Sequence, residues 1–168
     1  MRTIPLTKGF VARVDDEDYD AIAAHKWTAV VTGKNIKRVY AYRRINWDNE
    51  KRRWRGQVYM HRQIMAAPAG MDVNHIDSDT LNNVRANLRI ATRSENLANN
   101  RRGFGVTGYR GVIRNKKGEQ APYLVMFRQR RIGSFFDLEE AARAYDALAI
   151  KEFGEFAKLN FPVATPQA

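Results

Sequence analysis

The local structure in the middle of this chain follows from residues 71–100, MDVNHIDSDTLNNVRANLRIATRSENLANN. It contains seven asparagines, at positions 74, 82, 83, 87, 96, 99 and 100. Asparagine is a poor interior residue of both helices and strands, so this density indicates loops, caps and side-chain ligation. We predict two short strands around VNHI and NLRIA, joined by a polar loop. A helix follows them, and Thr92 and Glu95 fit its capping box.

A strongly basic ribbon is predicted upstream, within a β-rich region formed by residues 1–56. Nine Lys and Arg residues between positions 37 and 62 stand against Asp48 and Glu50, a local net charge of +7. Tyrosines and tryptophans are interleaved among them, and Arg and aromatic side chains suit contacts with phosphates and sugars. A solvated hairpin with a few packed aromatic residues is the alternative. The candidate DNA contacts are Arg38, Arg43, Arg44, Arg53 and Arg55.

Two helices are predicted before the asparagine-rich stretch. DDEDYDAIAAHK, residues 15–26, has Asp15 as N-cap and Asp18 at the capping-box position. VYMHRQIMAA, residues 58–67, places apolar side chains at helical spacing and is predicted to be a short packed helix. We interpret His61 within it as a packing or phosphate-contact residue.

A third module is predicted beyond a linker at residues 103–108. Three strands are predicted in it, at YRGVIR, PYLVMFR and RIGSFF. The clearest helix of the chain follows at DLEEAARAYDALAIKEFG, with Asp137 and Glu140 as its capping box. Alternation on the middle strand directs Val125 and Phe127 towards this helix, and Met126 and Arg128 away from it. A sheet that binds another protein is the alternative to a DNA-binding one. The candidate DNA contacts are Arg110, Arg114, Arg128 and Arg131.

The composition favours double-stranded DNA as the partner. The 168 residues include 29 Lys and Arg against 18 Asp and Glu, a net charge of +11, and neutralised phosphates would release counterions. A hydrophobic content of 44% excludes a disordered basic tail. The chain has no cysteine, so a metal must bind to oxygen or imidazole ligands. With no apolar run of roughly 20 residues, we expect a cytoplasmic protein without membrane contact.

Residues 57–102 resemble the HNH endonucleases of ββα-metal fold, especially the phage and intron-encoded homing type. The resemblance is carried by four short motifs in the family's order, VNHID, LNN, ANLRIAT and SEN. The resemblance implies a metal-dependent, site-directed DNA endonuclease that hydrolyses a phosphodiester and nicks one strand per engagement. If the gene is phage-encoded, the protein acts in the host cytoplasm. A monomer or a weak dimer is compatible with this activity.

The same resemblance implies the roles of individual residues. His75 corresponds to the general base that takes a proton from the attacking water. Asn87 corresponds to the middle Asn of the motif, which ties the loop across the hairpin and orients the base. Asn74 and Asn96 correspond to the ligands of one divalent metal, magnesium or manganese. Asn100, four residues after Asn96, is a candidate additional ligand.

Asn74 departs from the pattern of many relatives, which carry Asp before the histidine. A neutral amide oxygen holds magnesium or manganese less tightly than a carboxylate, so we expect DNA phosphate to complete the site. Asp72 and Asp77 are alternative ligands, although Asp77 fits a loop cap better. A catalytically inactive, sequence-specific DNA-binding protein or regulator is the alternative function.

Residues 109–162 resemble the plant ethylene-response-factor, or APETALA-type, DNA-binding domain through the words YRGV, IGSF, EEAARAYD and KLNFP. The resemblance implies a three-stranded sheet that lies in the major groove. Ile113 and Arg131 differ from the plant pattern, so base preference is not transferred. The predicted fold class is therefore α+β: a β-rich region, an HNH unit, a three-stranded antiparallel sheet on one helix, and a tail at 163–168.

Overall fold

A computed structural model of the chain describes residues 1–33, 37–51, 53–99, 105–115 and 121–162, without the side chains of 46–48 and 53–55. The fold is α+β, as predicted, with small antiparallel sheets. It divides into two compact units, Met1–Arg93 and Ser94–Ala168. The predicted boundaries at 56, 102 and 108 stay predictions, and parts of the linker and the whole tail lie outside the described residues.

The first unit contains three antiparallel sheets, with strand orders β1-β2, β3-β4-β5 and β6-β7. Its elements are β1 (Arg2–Pro5), β2 (Val11–Val14), α1 (Asp16–Ala23), β3 (Thr28–Thr32), β4 (Arg38–Asp48), β5 (Arg53–Tyr59), α2 (Met60–Ile64), β6 (Asp72–His75) and β7 (Leu88–Ala91). Helix α3 (Arg93–Ala98) begins directly after Thr92, where the asparagine-rich stretch predicted a helix.

One hydrophobic core holds the sheets of the first unit together. Val14, Trp27, Met60, Val73 and Leu88 are all buried in it, so segments far apart in sequence share one interior. The indole Nε1 of Trp27 donates to the Ile22 carbonyl at 2.8 Å, which satisfies its polar atom inside the core. This core fixes the β6-β7 hairpin against the N-terminal strands and α2.

Helix α1 begins where the sequence predicted, but the predicted capping box is wrong. The Asp15 carboxylate makes no capping bond and accepts instead from the Arg85 backbone N–H at 2.7 Å. Asp18 accepts from the Arg85 guanidinium at 2.7 and 2.8 Å. A partner 67 residues away thus replaces the local cap, because the α1 carboxylates face the segment that precedes β7.

The second unit packs the sheet β8 (Val112–Arg114), β9 (Tyr123–Phe127) and β10 (Arg130–Phe135) on helix α4 (Leu138–Phe153). Val125 is fully buried, and the Phe127 ring lies 5.6 Å from Tyr145 of α4, so both residues face the helix as predicted. Asp137 Oδ1 accepts from Glu140 N–H at 2.7 Å, which confirms the predicted cap.

Arg128 does not occupy the outward strand position that alternation predicted. β9 ends at Phe127, and Arg128 and Gln129 form the turn with positive φ values of 48° and 66°. Two consecutive positive φ values suit a tight hairpin turn, whose twist matches that of the strands. The Arg128 guanidinium forms an ion pair with Glu152 of α4.

Two of the words that carry the resemblance of the second unit meet in a hydrogen-bonded clamp. Asp146 of α4 accepts from the backbone N–H groups of Asn160 and Phe161, both at 2.9 Å. The Asn160 side chain in turn accepts from Arg110 N–H at 2.6 Å. The clamp therefore joins residues of EEAARAYD and KLNFP and ties the end of the unit to the start of its sheet.

The helices of the described residues are too short or too polar to cross a membrane.

Candidate active site

Strand β6 carries the two adjacent residues that the sequence singled out, Asn74 and His75. Asn74 is 4% and His75 5% exposed. Neighbouring side chains on a strand point to opposite faces, and here both faces are covered. In the antiparallel register Asn74 lies opposite Arg89, and His75 lies opposite Leu88.

The His75 ring belongs to an aromatic cluster made of Tyr40, Tyr59, His61 and His75. The His61 ring lies 5.1 Å from His75 in an edge contact, and Tyr40 lies 6.3 Å from it. Tyr59 stacks on His61 at 5.5 Å and meets Tyr40 edge-on at 5.9 Å. The cluster joins the β4-β5 ribbon, α2 and β6, so the tertiary fold brings the predicted ribbon to the predicted base.

Burial favours the neutral form of both imidazoles of the cluster. Burial lowers the pKa of His75 below its ordinary value, although a hydrogen bond with Asn83 and the charge of Asp77 act in the opposite direction. Burial, together with the neighbouring His75 and Arg62, lowers the pKa of His61 to about 3. A neutral imidazole is the form that can accept a proton, which is what a general base requires.

Asn83 contacts His75 directly, a role that the sequence analysis did not assign. Its Oδ1 lies 3.3 Å from His75 Nε2, and the Asn83 side chain is 1% exposed. The signal was present in the LNN word, because a second asparagine beside Asn82 has to satisfy its polar atoms if it is buried. The sequence did not reveal which of the two asparagines points inward.

Asn87 holds the loop that follows β6. Its Nδ2 donates to Asp77 Oδ1 at 2.9 Å and to the Asn82 carbonyl at 2.8 Å, while its Oδ1 accepts from Asp77 N–H at 3.0 Å. These contacts are the loop ties that the resemblance implied, and an effect on the orientation of His75 stays a prediction. Asn87 thus ties two points of the loop, Asp77 and Asn82, to the segment that precedes β7.

Asp77 is a loop cap in this structure. It accepts from the backbone N–H of Asp79 at 2.7 Å and from Asn82 Nδ2 at 2.8 Å. Partial burial raises the pKa of Asp77, but the hydrogen bonds from Asn82, Asp79 and Asn87 outweigh it and hold the pKa below its ordinary value. Asp72, the other alternative metal ligand, forms an ion pair with Arg93 at 3.2 Å.

The amide oxygen of Asn74, which the resemblance implies as a metal ligand, faces a guanidinium. Arg89 Nε donates to Asn74 Oδ1 at 3.0 Å. A carbonyl oxygen has two lone pairs and can accept this bond while it ligates magnesium or manganese. The donor type therefore fits a hard divalent cation, although the charge of Arg89 opposes one until an anion such as phosphate is present.

The other implied ligands belong to a different part of the chain. Asn96 is half-buried on α3, within the second compact unit, whereas Asn74 belongs to the first. A metal shared by the two asparagines stays a prediction. Asn100 lies outside the described residues. The carboxylates of Asp15, Glu17 and Asp18 lie close together, but they face Arg85, which accounts for the cluster.

The arginines of the basic ribbon divide between its two faces. Every second residue of a strand faces the same way, so one face of β4 carries Arg38, Tyr40, Tyr42 and Arg44. This is the face of the aromatic cluster. Arg43 points the other way and donates to Gln63 Oε1 at 3.1 Å. The side chains of residues 53 and 55 lie outside the described part of the structure.

The arginines of the second unit also differ in exposure. Arg110 is 6% exposed and its Nη1 donates to the Ala98 carbonyl at 3.0 Å, so it serves the fold of the unit. Arg128 pairs with Glu152. Arg114 is exposed on β8, and Arg131 is exposed on β10, where it donates to Ser134 Oγ at 2.6 Å. Arg114 and Arg131 are therefore the more accessible candidates for DNA contact.

Comparison with known proteins shows what this part of the chain is similar to. Residues 66–98 match the family model described as HNH endonuclease. The matched range contains Asn74, His75, Asn83, Asn87 and Asn96.

A curated protein of Acanthamoeba polyphaga mimivirus, described as an uncharacterized HNH endonuclease (L560), is 32% identical over 111 residues. The alignment covers 62% of this chain and 58% of that protein, so the chain spans little more than half of its relative's length. No solved structure matches the chain significantly. Kinship of the second unit with the APETALA-type domain stays a prediction, whereas its three-stranded sheet on one helix is observed.

Proposed function

We propose that the protein is a metal-dependent, site-directed DNA endonuclease of the HNH homing type, with His75 as its general base. The observation that carries the proposal is the position of His75 within the matched HNH segment, at the end of a hairpin strand and in its neutral form. The ribbon face with Arg38 and Arg44 adjoins this residue through Tyr40. A basic, aromatic surface next to a proton acceptor is the combination that phosphodiester hydrolysis in DNA needs.

In the proposed reaction, neutral His75 accepts a proton from water as the water oxygen attacks phosphorus. The bond from phosphorus to the 3′ oxygen breaks and the leaving oxygen takes a proton from solvent water, which leaves 5′-phosphate and 3′-hydroxyl ends. Asn74 and Asn96 would hold a magnesium or manganese ion, which when bound stabilises negative charge on the phosphate and the leaving oxygen. Asn87 keeps the loop after β6 in place, so the strand end that carries His75 does not shift.

Double-stranded DNA is the proposed substrate, with a separate reading surface in the second unit. Arg114 and Arg131 are exposed on its sheet, and a two- or three-stranded ribbon fits the major groove. One catalytic centre per chain cuts one strand per engagement, so we expect a monomer or weak dimer to nick. A double-strand break would need two chains or two visits.

A catalytically inactive, sequence-specific DNA-binding protein or regulator is the second candidate, and two observations favour it. His75 is 5% exposed, so water must gain access to a buried ring. Asn74 carries no charge and its amide oxygen is bonded to Arg89, which disfavours a cation at that position. Both candidates bind DNA with strong salt dependence, so binding alone does not separate them.

Cleavage separates the two functions. Supercoiled plasmid, and DNA of the locus that flanks the gene, would be incubated with magnesium or manganese and the wild type, His75→Ala or His25→Ala. His25 is exposed in the same unit and serves as the matched histidine control. We expect nicking by the wild type and by His25→Ala, and a loss of about 100-fold or more in His75→Ala.

Each other result has a definite reading. Equal nicking by the wild type and His75→Ala would remove His75 from the mechanism. No nicking by any variant, together with retained salt-dependent binding to the locus DNA, would establish the DNA-binding alternative.

A further inference from the structure

Asn83 is anchored from both sides at a fully buried position of the loop between β6 and β7. Its backbone N–H donates to the Arg13 carbonyl at 2.8 Å, and the Arg13 N–H donates to the Leu81 carbonyl at 2.8 Å. The loop is therefore paired with β2, a strand of the N-terminal region. With a 1% exposed side chain, Asn83 has little freedom to change its rotamer.

The orientation of the Asn83 amide follows from its second partner. Its Nδ2 donates to the Leu81 carbonyl at 3.2 Å. The carbonyl end of the amide must then point the other way, which is where His75 Nε2 lies at 3.3 Å. An exchange of the amide oxygen and nitrogen would set Oδ1 against the Leu81 carbonyl, two acceptors face to face.

An amide oxygen only accepts hydrogen bonds, so the nitrogen that faces it must donate. A neutral imidazole carries its proton on one nitrogen and a lone pair on the other. With Asn83 Oδ1 opposite Nε2, the proton lies on Nε2 and the lone pair on Nδ1. The opposite tautomer would set two lone pairs against each other in a buried site, where water cannot relieve the repulsion.

We infer that Asn83 is a positioning residue of the HNH centre: it selects the Nε2–H tautomer of His75 and so makes Nδ1 the atom that accepts the proton of water. The catalytic half of this inference rests on the proposed endonuclease function, whereas the tautomer does not. Asn83 does not touch the substrate. It acts through the ring, as an acceptor that holds the imidazole in one tautomer and one rotamer.

The tautomer is measured on the full-length protein without DNA or metal. Long-range proton–nitrogen NMR spectra of nitrogen-15 histidine-labelled protein at pH 7.5 report which ring nitrogen carries the proton. We expect the Nε2–H form for His75 in the wild type and a mixture, or the Nδ1–H form, in Asn83→Leu, which removes the acceptor at similar volume. A wild-type His75 in the Nδ1–H form, or an unchanged tautomer in Asn83→Leu, would overturn the inference.

Two more variants keep the test independent of folding defects. Asn83→Asp retains an oxygen acceptor opposite Nε2, so Nε2 should still carry a proton, whereas its second oxygen loses the hydrogen bond to the Leu81 carbonyl. Asn82→Ala removes the neighbouring asparagine, whose Nδ2 contacts Asp77 rather than His75, and should keep the wild-type tautomer. If Asn83→Leu does not fold, a wild-type His75 in the Nδ1–H form would still contradict the inference, and so would an Asn83→Asp variant in which Nε2 carries no proton.

Single-turnover nicking tests the catalytic half. Asn83→Leu should lower the rate of the chemical step roughly 10- to 100-fold with unchanged DNA affinity, because the reacting ring is misplaced rather than removed. Asn82→Ala should stay within about twofold of the wild type. A reduced DNA affinity with an unchanged chemical step in Asn83→Leu would refute the positioning role. If the wild type cuts no DNA, the endonuclease proposal fails while the NMR result still stands.

Discussion

The sheet–helix module of the second unit and the β6-β7 hairpin of the first are built by different rules. In the second unit, the cap at Asp137 and the helix-facing Val125 and Phe127 all follow from spacing within one segment. In the first unit, the polar side chains around His75 find partners across the whole unit, as Tyr40 and Asn83 do. Local rules therefore describe the second unit well, and describe the candidate active site poorly.

The largest expected effect is a loss of stability of the second unit when a methyl group is added where its sheet packs against α4. Gly111 has φ +72°, and a Cβ added there would lie 2.0 Å from the Tyr145 ring. We expect Gly111→Ala to destabilise this unit by about 3 kcal/mol or more, because the helix must move away from the sheet. Urea unfolding followed by the signals of the second unit measures the change.

The matched control is Gly108→Ala, in the same unit. Gly108 has φ +76°, but among the described residues no atom lies within 4 Å of an added Cβ. Backbone strain alone should cost about 1 kcal/mol there. Equal losses in the two variants would mean that the contact with Tyr145 does not limit the packing.

The next effect belongs to the buried imidazoles of the first unit. The pKa of His61 is about 3 when folded and 6.5 when unfolded, so the unfolded chain binds more protons between these values. The contribution of neutral His61 to the free energy of unfolding is therefore fully present above about pH 6.5 and is lost progressively as the pH falls towards 3. From pH 7 to pH 5 we expect a loss of about 2 kcal/mol, with a further loss in the same direction from His75.

Denaturant unfolding at several pH values checks this dependence. His61→Phe should flatten the curve, whereas His25→Ala, which alters an exposed histidine, should leave it unchanged. A curve of the same steepness in His61→Phe would assign the acid sensitivity to other groups. The second unit, whose described residues include no histidine, should unfold with a weaker dependence on pH in this range.

A smaller effect is expected at Asn74, the proposed metal ligand on the hairpin. Asn74→Asp would add a carboxylate beside Arg89, pairing its charge and offering a stronger ligand to a divalent cation. We expect the affinity for magnesium, measured by calorimetry on the free protein, to rise about 10-fold from a value weaker than micromolar. Asn49→Asp, at an exposed position of the turn between β4 and β5, is the control with the same charge change. Submicromolar binding by the wild type, or equal gains in both variants, would count against a ligand role for Asn74.

The smallest expected effect concerns the N-terminal caps of helices α4 and α1. Asp137→Ala removes an observed cap and should cost about 1 kcal/mol, with Asp137→Ser recovering most of it. At α1, the Asp15 carboxylate holds the Arg85 backbone instead, so Ser at position 15 should rescue Asp15→Ala poorly. Thermal unfolding of the four variants measures both pairs. Good rescue by Ser at position 15 would show that the local cap matters there after all.

Much of the fold was predictable because its signals are local. The two strands and the helix of the asparagine-rich stretch, the helix α4 and its sheet all follow from periodicity, turn residues and capping patterns. The prediction failed at Asp15 and Asp18, whose carboxylates serve Arg85, and at Arg128, which lies in a turn rather than on the strand. In each case a contact or a turn geometry outweighed a local preference worth about 1 kcal/mol.

The candidate site was predictable only as a set of residue types. His75, Asn74 and Asn87 could be named from the motif words, but not the inward orientation of Asn83 or the contact of His61 with His75. Of two adjacent asparagines, position alone does not tell which one meets the histidine. The pairing of the loop with β2 determines it.

A basic α+β protein with a segment that resembles HNH endonucleases was predictable from the chain alone, since charge, period and motif spacing are properties of the sequence. The folded structure was needed to show which arginines are buried, that the ribbon meets the histidine through Tyr40, and which asparagine faces it. The physical reason is that buried polar groups must find partners, and those partners come from whichever distant segments the hydrophobic core brings within hydrogen-bond reach.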